Sequence, residues 1–280
     1  MTAFTAFAAS LAVEELEIDL LLEALTQRHG YDFRDYDRQL VRRTLLGVMA
    51  ERGLKTVSAL QERVLHEPGA ASNVLRALAV SPAALFGEPA RSRQARAVLG
   101  KSLRPAAVPK VWLAECAGIG DAWTLAIMLH EEGLLARTEI FATLANDELL
   151  AEVRDATLDA ATLPALQESY LQAGGAGRLA DYFEVRDARA TLLPRLRGRI
   201  TWAGYNMVTD ASFNEFQAII CGRALANFGP MLRQRVLRLF YESLARFGVL
   251  GLDRELEAGD AHAAAYQALE GDWPWYRRVG

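Results

Sequence analysis

The residues best placed to do chemistry lie between Val111 and Leu144. The stretch Val111-Trp112-Leu113-Ala114-Glu115-Cys116-Ala117-Gly118-Ile119-Gly120-Asp121 runs from an apolar strand into a small-residue turn. A helix follows to about Glu132, and a second apolar strand, Glu139-Ile140-Phe141-Ala142-Thr143, ends at Leu144. Strand, turn, helix and strand make the first half of a doubly wound sheet, in which ligands bind at the carboxyl ends of the strands. A nucleoside bound there usually needs an acid at the end of the second strand to accept its ribose hydroxyls; this chain has leucine. Glu115 adds a side chain and a negative charge to the turn. Ile119 is β-branched and resists left-handed geometry. Gly118 and Gly120 are what remains to let a ligand approach the backbone. Glu115 and Asp121 offer a pair of carboxylates for acid–base work, but Asp121 equally suits a helix start, and no residue is assigned as catalytic.

The bulk numbers bound the classes open to the chain. Its 280 residues suffice for one large domain or two modest ones, and 51% hydrophobic content supports a sizeable core. A net charge of −4 gives no global reason to expect nucleic acid. Cys116 and Cys221 make neither a disulfide framework nor a zinc site, and His29, His66, His130 and His262 are too scattered for a metal set. Reduced, buried thiols in a cytoplasmic protein are expected. Met1 to Val13 is mildly apolar without a basic start, and no run reaches the ~18 apolar residues of a membrane span, so neither leader nor anchor is expected.

These residues must be positioned by a particular order of elements. From Val13 to about Leu78 apolar residues recur at helical spacing, with Gly30 and Gly53 at helix ends, as expected of C′ positions. Residues 88–110 read as a helix plus linker. Strands and helices then alternate: a helix from Asp147, short strands near Tyr182–Val185 and Ile200–Ala203, and a buried strand over Ala218–Cys221. Pro230 opens a long amphipathic helix, expected to be capped by Gly248 before a strand over Val249–Leu252. The expected fold is α/β: a small all-helical N-terminal domain followed by a doubly wound, mostly parallel sheet. The division is placed at residues 1–95 for the helical domain with the start of the linker, and 96–280 for the α/β domain. Arg34, Arg38 and Arg42 fall at i, i+4 and i+8 and make a basic stripe, a candidate partner-docking face, if that stretch is one helix. Trp273 and Trp275 read as a tail clamped to the core, and Arg223 as a member of a structural salt bridge.

These motifs together resemble the CheR-type chemoreceptor methyltransferases, which use S-adenosylmethionine to methylate receptor glutamates. Gly30-Tyr31-Asp32-Phe33-Arg34-Asp35-Tyr36 followed by Arg42-Arg43 resembles the family's helical domain. Trp112-x-Ala114-x-Cys116 stands where the family has W-x-A-G-C-S-T-G-E-E. Asn206-Met207-Val208-Thr209-Asp210 and its continuation to Phe216 is similar to the family's H-N-L segment, and Arg235 to Leu250 completes the match. The resemblance implies a Rossmann-type methyltransferase fold, S-adenosylmethionine as cofactor where the family activity is retained, and a signalling protein, such as a chemoreceptor, as partner.

The departures fall where that resemblance places the chemistry. The family's F-R-D is Phe86-Gly87-Glu88, and its G-C-S-T-G is Glu115-Cys116-Ala117-Gly118-Ile119. Its ribose-binding A-T-D is Ala142-Thr143-Leu144, and its C-R-N-V-L-I-Y-F is Cys221-Gly222-Arg223-Ala224-Leu225-Ala226-Asn227-Phe228. Each buried hydrogen bond left unmade costs roughly 1–3 kcal/mol, so several such losses would move a micromolar ligand towards millimolar affinity. Glu115, Cys116, Gly118, Gly120, Asp121, Leu144, Asn206, Met207 and Cys221 are the expected remnant of the cofactor pocket. Three readings follow: a degenerate family member that binds a partner without a cofactor, a working protein-glutamate methyltransferase with a rearranged cofactor loop, and a cleft adapted to a different small ligand.

Overall fold

The computed structural model describes residues 2–280, with side chains from residue 12 onwards. The side chains on which the reading of the apolar start rests lie mostly outside the described residues.

The chain divides into two compact units. The first comprises residues 1–79 together with Asn227–Arg233. Its helices are α1 (Thr2–His29), α2 (Arg38–Glu51), α3 (Val57–His66) and α4 (Ala70–Leu78). The starts of two of them are fixed by side-chain caps: Asp37 accepts the Leu40 N–H at 2.8 Å, and Thr56 accepts the Ala59 N–H at 3.2 Å. Gly30 and Gly53 follow α1 and α2 with positive φ, as expected of C′ residues. Ile18, Leu21, Leu22 and Leu25 of α1 pack with Val41 and Leu45 of α2 and Leu60 of α3 to form this unit's core.

The second unit comprises residues 80–226 and 234–280. Its elements are α5 (Pro89–Ser102), β1 (Lys110–Leu113), α6 (Ile119–Glu131), β2 (Glu139–Leu144), α7 (Asp147–Asp155), β3 (Leu158–Asp159), α8 (Leu163–Gln172), β4 (Phe183–Arg186), β5 (Arg189–Leu192), α9 (Pro194–Arg197), β6 (Ile200–Gly204) and β7 (Phe216–Cys221). Then come α10 (Pro230–Ser243), which begins in the first unit, and β8 (Leu244–Leu252), β9 (Tyr266–Ala268) and β10 (Trp275–Arg278). The boundary expected at 95/96 falls inside α5, whereas the units part at 79/80. The reason is packing: Ala95 and Leu99 of α5 are buried in the same core as Val111 of β1 and Trp123 of α6.

Among the described residues the main sheet has seven strands in the order β6-β2-β1-β7-β8-β10-β9. Numbered within the sheet this is 3-2-1-4-5-7-6. All neighbours are parallel except β10, which runs antiparallel between β8 and β9. Val111, Trp112 and Leu113 are all buried, as expected of a central parallel strand covered on both faces. The α6 helix is buried from Ala122 to Leu129, which is why its sequence is apolar nearly all round. A separate three-stranded antiparallel sheet, β3-β5-β4, is inserted before β6.

One local expectation is corrected. Gly248 does not cap α10; the helix ends at Ser243, and β8 begins at Leu244. The pairing jumps from Phe216↔Leu244 to Ala218↔Val249, so extra residues of β8 bulge out there. Phe247 takes φ 66°, and Gly248 fits where a Cβ would stand 2.8 Å from the Ala245 carbonyl oxygen. The Trp-Pro-Trp-Tyr tail is clamped as expected: Trp275 and Tyr276 are buried in β10.

Candidate functional site

At the carboxyl end of β1 the chain makes an abrupt turn. Glu115 adopts φ 51°, a left-handed conformation that costs a non-glycine residue roughly 1–2 kcal/mol. The Cys116 N–H then bonds the Thr143 carbonyl at 2.8 Å, tying the turn to β2. Thr143 also takes the Trp112 indole N–H at 2.8 Å, so this threonine is needed by the buried tryptophan as well as by the turn. Gly118 stands at the N-cap of α6, with Asp121 in the first turn.

The turn is filled by the chain itself. A Cβ on Gly120 would stand 2.0 Å from the Ala83 carbonyl oxygen, and one on Gly118 would stand 2.7 Å from the Pro82 Cβ. Residues 82–88 form a strap against the turn. The Phe86 N–H donates to the Thr124 hydroxyl at 2.9 Å, Phe86 holds φ 51°, and its ring meets Tyr170 edge-on at 5.3 Å. Glu88 bonds Arg223 at 2.6 Å, and Arg223 reaches Asp121 at 3.6 Å, the salt bridge expected of this arginine. Arg91 adds an ion pair to Glu88 at 3.5 Å and a hydrogen bond to the Gly222 carbonyl at 3.0 Å.

Beneath the strap, at the ends of β1 and β7, lies a cavity of about 80 Å³. Small-molecule sites are commonly ~300–1,000 Å³. Glu115, Cys116 and Asp121 line it, together with Phe86, Glu88, Arg91, Arg223 and Trp275. Sequence reasoning noted Phe86-Gly87-Glu88 only as a departure and did not place it, or Arg91, in the site. The signal was available in the positive residues Arg91 and Arg223 flanking acids 88 and 121, but their meeting depends on the fold.

Burial pushes the Glu115 carboxyl up to about 7, opposed only by a hydrogen bond from the Ala145 backbone N–H. Burial raises Asp121 as well, and Arg223 and Arg91 oppose it. The thiols of Cys116 and Cys221 are both buried and pushed up by burial, so they rest as neutral packing groups.

The other remnant positions lie away from the cavity lining. Leu144 is buried and packs with Leu150 and Val153 of α7. Asn206 forms a turn: its side-chain oxygen accepts the Val208 N–H at 2.9 Å, and its own N–H donates to Asp210 at 2.9 Å. Met207 is buried. Cys221 closes β7.

The basic stripe is corrected. Arg34 precedes the Asp37 cap and is not on α2, so the three arginines do not share one helix face. Each is also matched by acids. Arg34 pairs with Asp32 at 2.7 Å and Glu23 at 2.9 Å, Arg38 with Glu15 at 2.6 Å and Asp19 at 2.9 Å, and Arg42 with Glu14 at 2.5 Å. Among the described residues no group of His, Cys, Asp or Glu is placed to hold a metal ion, and no helix is long and apolar enough to cross a membrane.

A mostly parallel sheet in the order 3-2-1-4-5-7-6, preceded by a helical unit and with its cleft at the strand ends, is that of a Rossmann-type methyltransferase fold. The chain belongs to the CheR methyltransferase family. Its residues 16–79 match the family's all-alpha domain, and residues 89–262 match its SAM-binding domain. It is 35% identical over 238 residues to Cher3, a candidate methyltransferase of Pseudomonas putida, covering 85% of this chain and 87% of that one. It is 24% identical over 240 residues to an uncharacterized 104.1 kDa protein of Rhodobacter capsulatus, of which it spans 24%. Among solved structures, the N-methyltransferase NodS of Bradyrhizobium japonicum with S-adenosylhomocysteine aligns at 12% identity and a TM-score of 0.37, covering 85% of this chain and 99% of that one. The glycopeptide N-methyltransferase MtfA with S-adenosylmethionine aligns at 18% identity and a TM-score of 0.37, covering 70% and 68%.

Proposed function

We propose that this chain is a catalytically degenerate member of the CheR family, which acts by binding a protein partner in a chemotaxis-like pathway and does not methylate it. The observation that carries this is the filled turn. Where the methyl donor would approach the backbone of the glycine turn, the Ala83 carbonyl and Pro82 ring already stand. The end of β2 offers buried Leu144 in place of a hydroxyl acceptor. Glu115 faces the site as a carboxyl in an unfavourable surrounding for charge, where the donor's own carboxylate would come. These residues do not fit S-adenosylmethionine. The partner half of the reading rests on family membership and a preserved core.

Calorimetric titration of the full chain with S-adenosylmethionine and S-adenosylhomocysteine tests the proposal. The expected result is no binding tighter than millimolar. Micromolar affinity for either would make the chain a working protein-glutamate methyltransferase with a displaced donor and would remove the degenerate reading.

A further inference from the structure

The cavity beneath the strap is small, but at about 80 Å³ it exceeds the ~30 Å³ share of one liquid water. Its lining is chemically mixed. Leu113, Leu125, Met128, Ile220 and Trp275 are its large apolar residues. Its charged residues are three acids, Glu88, Glu115 and Asp121, and two arginines, Arg91 and Arg223. Both arginines are engaged by Glu88, and Arg223 also by Asp121. Among the described residues Glu115 has no cationic partner, and its side chain receives the Ala145 backbone N–H. Glu115 lines the cavity together with Leu113, Ala114 and Cys116 at the end of β1 and Ile220 and Gly222 at the end of β7. A half-buried carboxyl with no cationic partner among the described residues, on a residue in left-handed conformation, costs the fold stability, and such strained positions cluster at ligand sites.

We propose that this cavity binds a small organic cation, a primary ammonium on a short apolar body, with Glu115 as its counter-ion. The proposal rests on the degenerate reading, because it puts a different ligand where the methyl donor does not fit. The ammonium supplies the missing charge, and Leu113, Met128 and Ile220 take the apolar body. Trp275 adds an aromatic side chain to the lining. At neutral pH Glu115 is part protonated, and a bound cation favours its carboxylate, so binding releases protons.

The test is calorimetric titration of the full chain at pH 7 with n-butylammonium chloride, with n-butanol as the neutral match. It is run in two buffers of different ionisation enthalpy. The expected result is at least tenfold tighter binding of butylammonium than of butanol, with a buffer-dependent heat that reports proton release. In Glu115→Gln, checked for a cooperative melting transition, the preference and the proton release both disappear. Equal binding of the two probes, an unchanged preference in the variant, or no binding of butylammonium would overturn the proposal. If the variant does not fold, the wild-type heats decide: a buffer-independent heat overturns it. An S-adenosylmethionine titration run alongside separates the two claims. Micromolar binding of that donor removes the degenerate reading, whereas failure of butylammonium with no donor binding removes the cation site alone.

Discussion

Glu115 concentrates the tension of the site in one side chain. It sits in a left-handed backbone conformation, is half-buried, and has no cationic partner among the described residues. Its ordinary value is 4.5 and burial lifts it to about 7 in the folded chain. The unfolded chain releases this proton near 4.5, while the folded chain keeps it until about 7. Between those values the native state binds the extra proton, so stability falls as pH rises and levels off above the folded value. The loss is of order 3 kcal/mol at most. Glu115→Gln has no proton to lose, so its stability relative to wild type should rise by ~2–3 kcal/mol between pH 5 and pH 8, as read from denaturant midpoints. Parallel pH profiles for the two proteins would sink this account. Leu144 predicts the opposite kind of change. Its 1% exposure and its contacts with Leu150 and Val153 mean that Leu144→Asp buries a charge without a partner. A loss of at least ~3 kcal/mol is expected by denaturant unfolding, with no gain of donor binding. Restoration of micromolar donor affinity by this one change would show that the acceptor alone was missing.

At the scale of elements, the turn after β1 and the strap over it act as one unit. The sequence displayed the turn as a remnant with two surviving glycines, and that much was legible. Their purpose was not legible, because the atoms they accommodate belong to Pro82 and Ala83, far away along the chain. Gly120→Ala tests that purpose. Its Cβ meets a backbone carbonyl, which has less freedom to yield than the end of a side chain, so the strap must shift. A destabilisation of about 1–3 kcal/mol is expected, with faster proteolytic cleavage within residues 80–88. Unchanged cleavage there would mean that the strap is not held by the glycine. The strands themselves were readable from short apolar runs bounded by turns, since a central parallel strand is buried on both faces. The bulge in β8 was not, because helix and strand adjoin at Ser243–Leu244 without a loop, and Gly248 looks the same as a cap or as a bulge residue. The segment from Tyr205 to Phe216 has a packing role of its own. Its Tyr205, Phe213 and Phe216 rings surround the buried Trp112, so packing alone is enough to hold their types in place.

At the scale of the whole molecule, the chain visits its first unit twice, and this was invisible to a reading that cut it once. Asn227–Arg233 belongs to the helical unit although it follows β7 in sequence. The Asp37 N–H bonds the Asn227 carbonyl at 2.8 Å, the Gly229 N–H bonds the Asp35 carbonyl at 2.8 Å, and Phe228 meets Tyr36 edge-on at 5.2 Å. These bonds lie beside Asp37, the residue that caps α2. A fragment ending at residue 79 keeps the four helices and loses that return segment. Two backbone hydrogen bonds at about 1 kcal/mol each and one aromatic pair at roughly 0.5–1.5 kcal/mol are then missing. The fragment should therefore be about 2–4 kcal/mol less stable than the same unit in the full chain. Hydrogen exchange of the α2 amides measures this directly, with protection expected to fall by tenfold or more in the fragment. Equal protection in fragment and full chain would mean that residues 227–233 add nothing to the unit. Loss confined to the first turn of α2 would show that they act only on its cap.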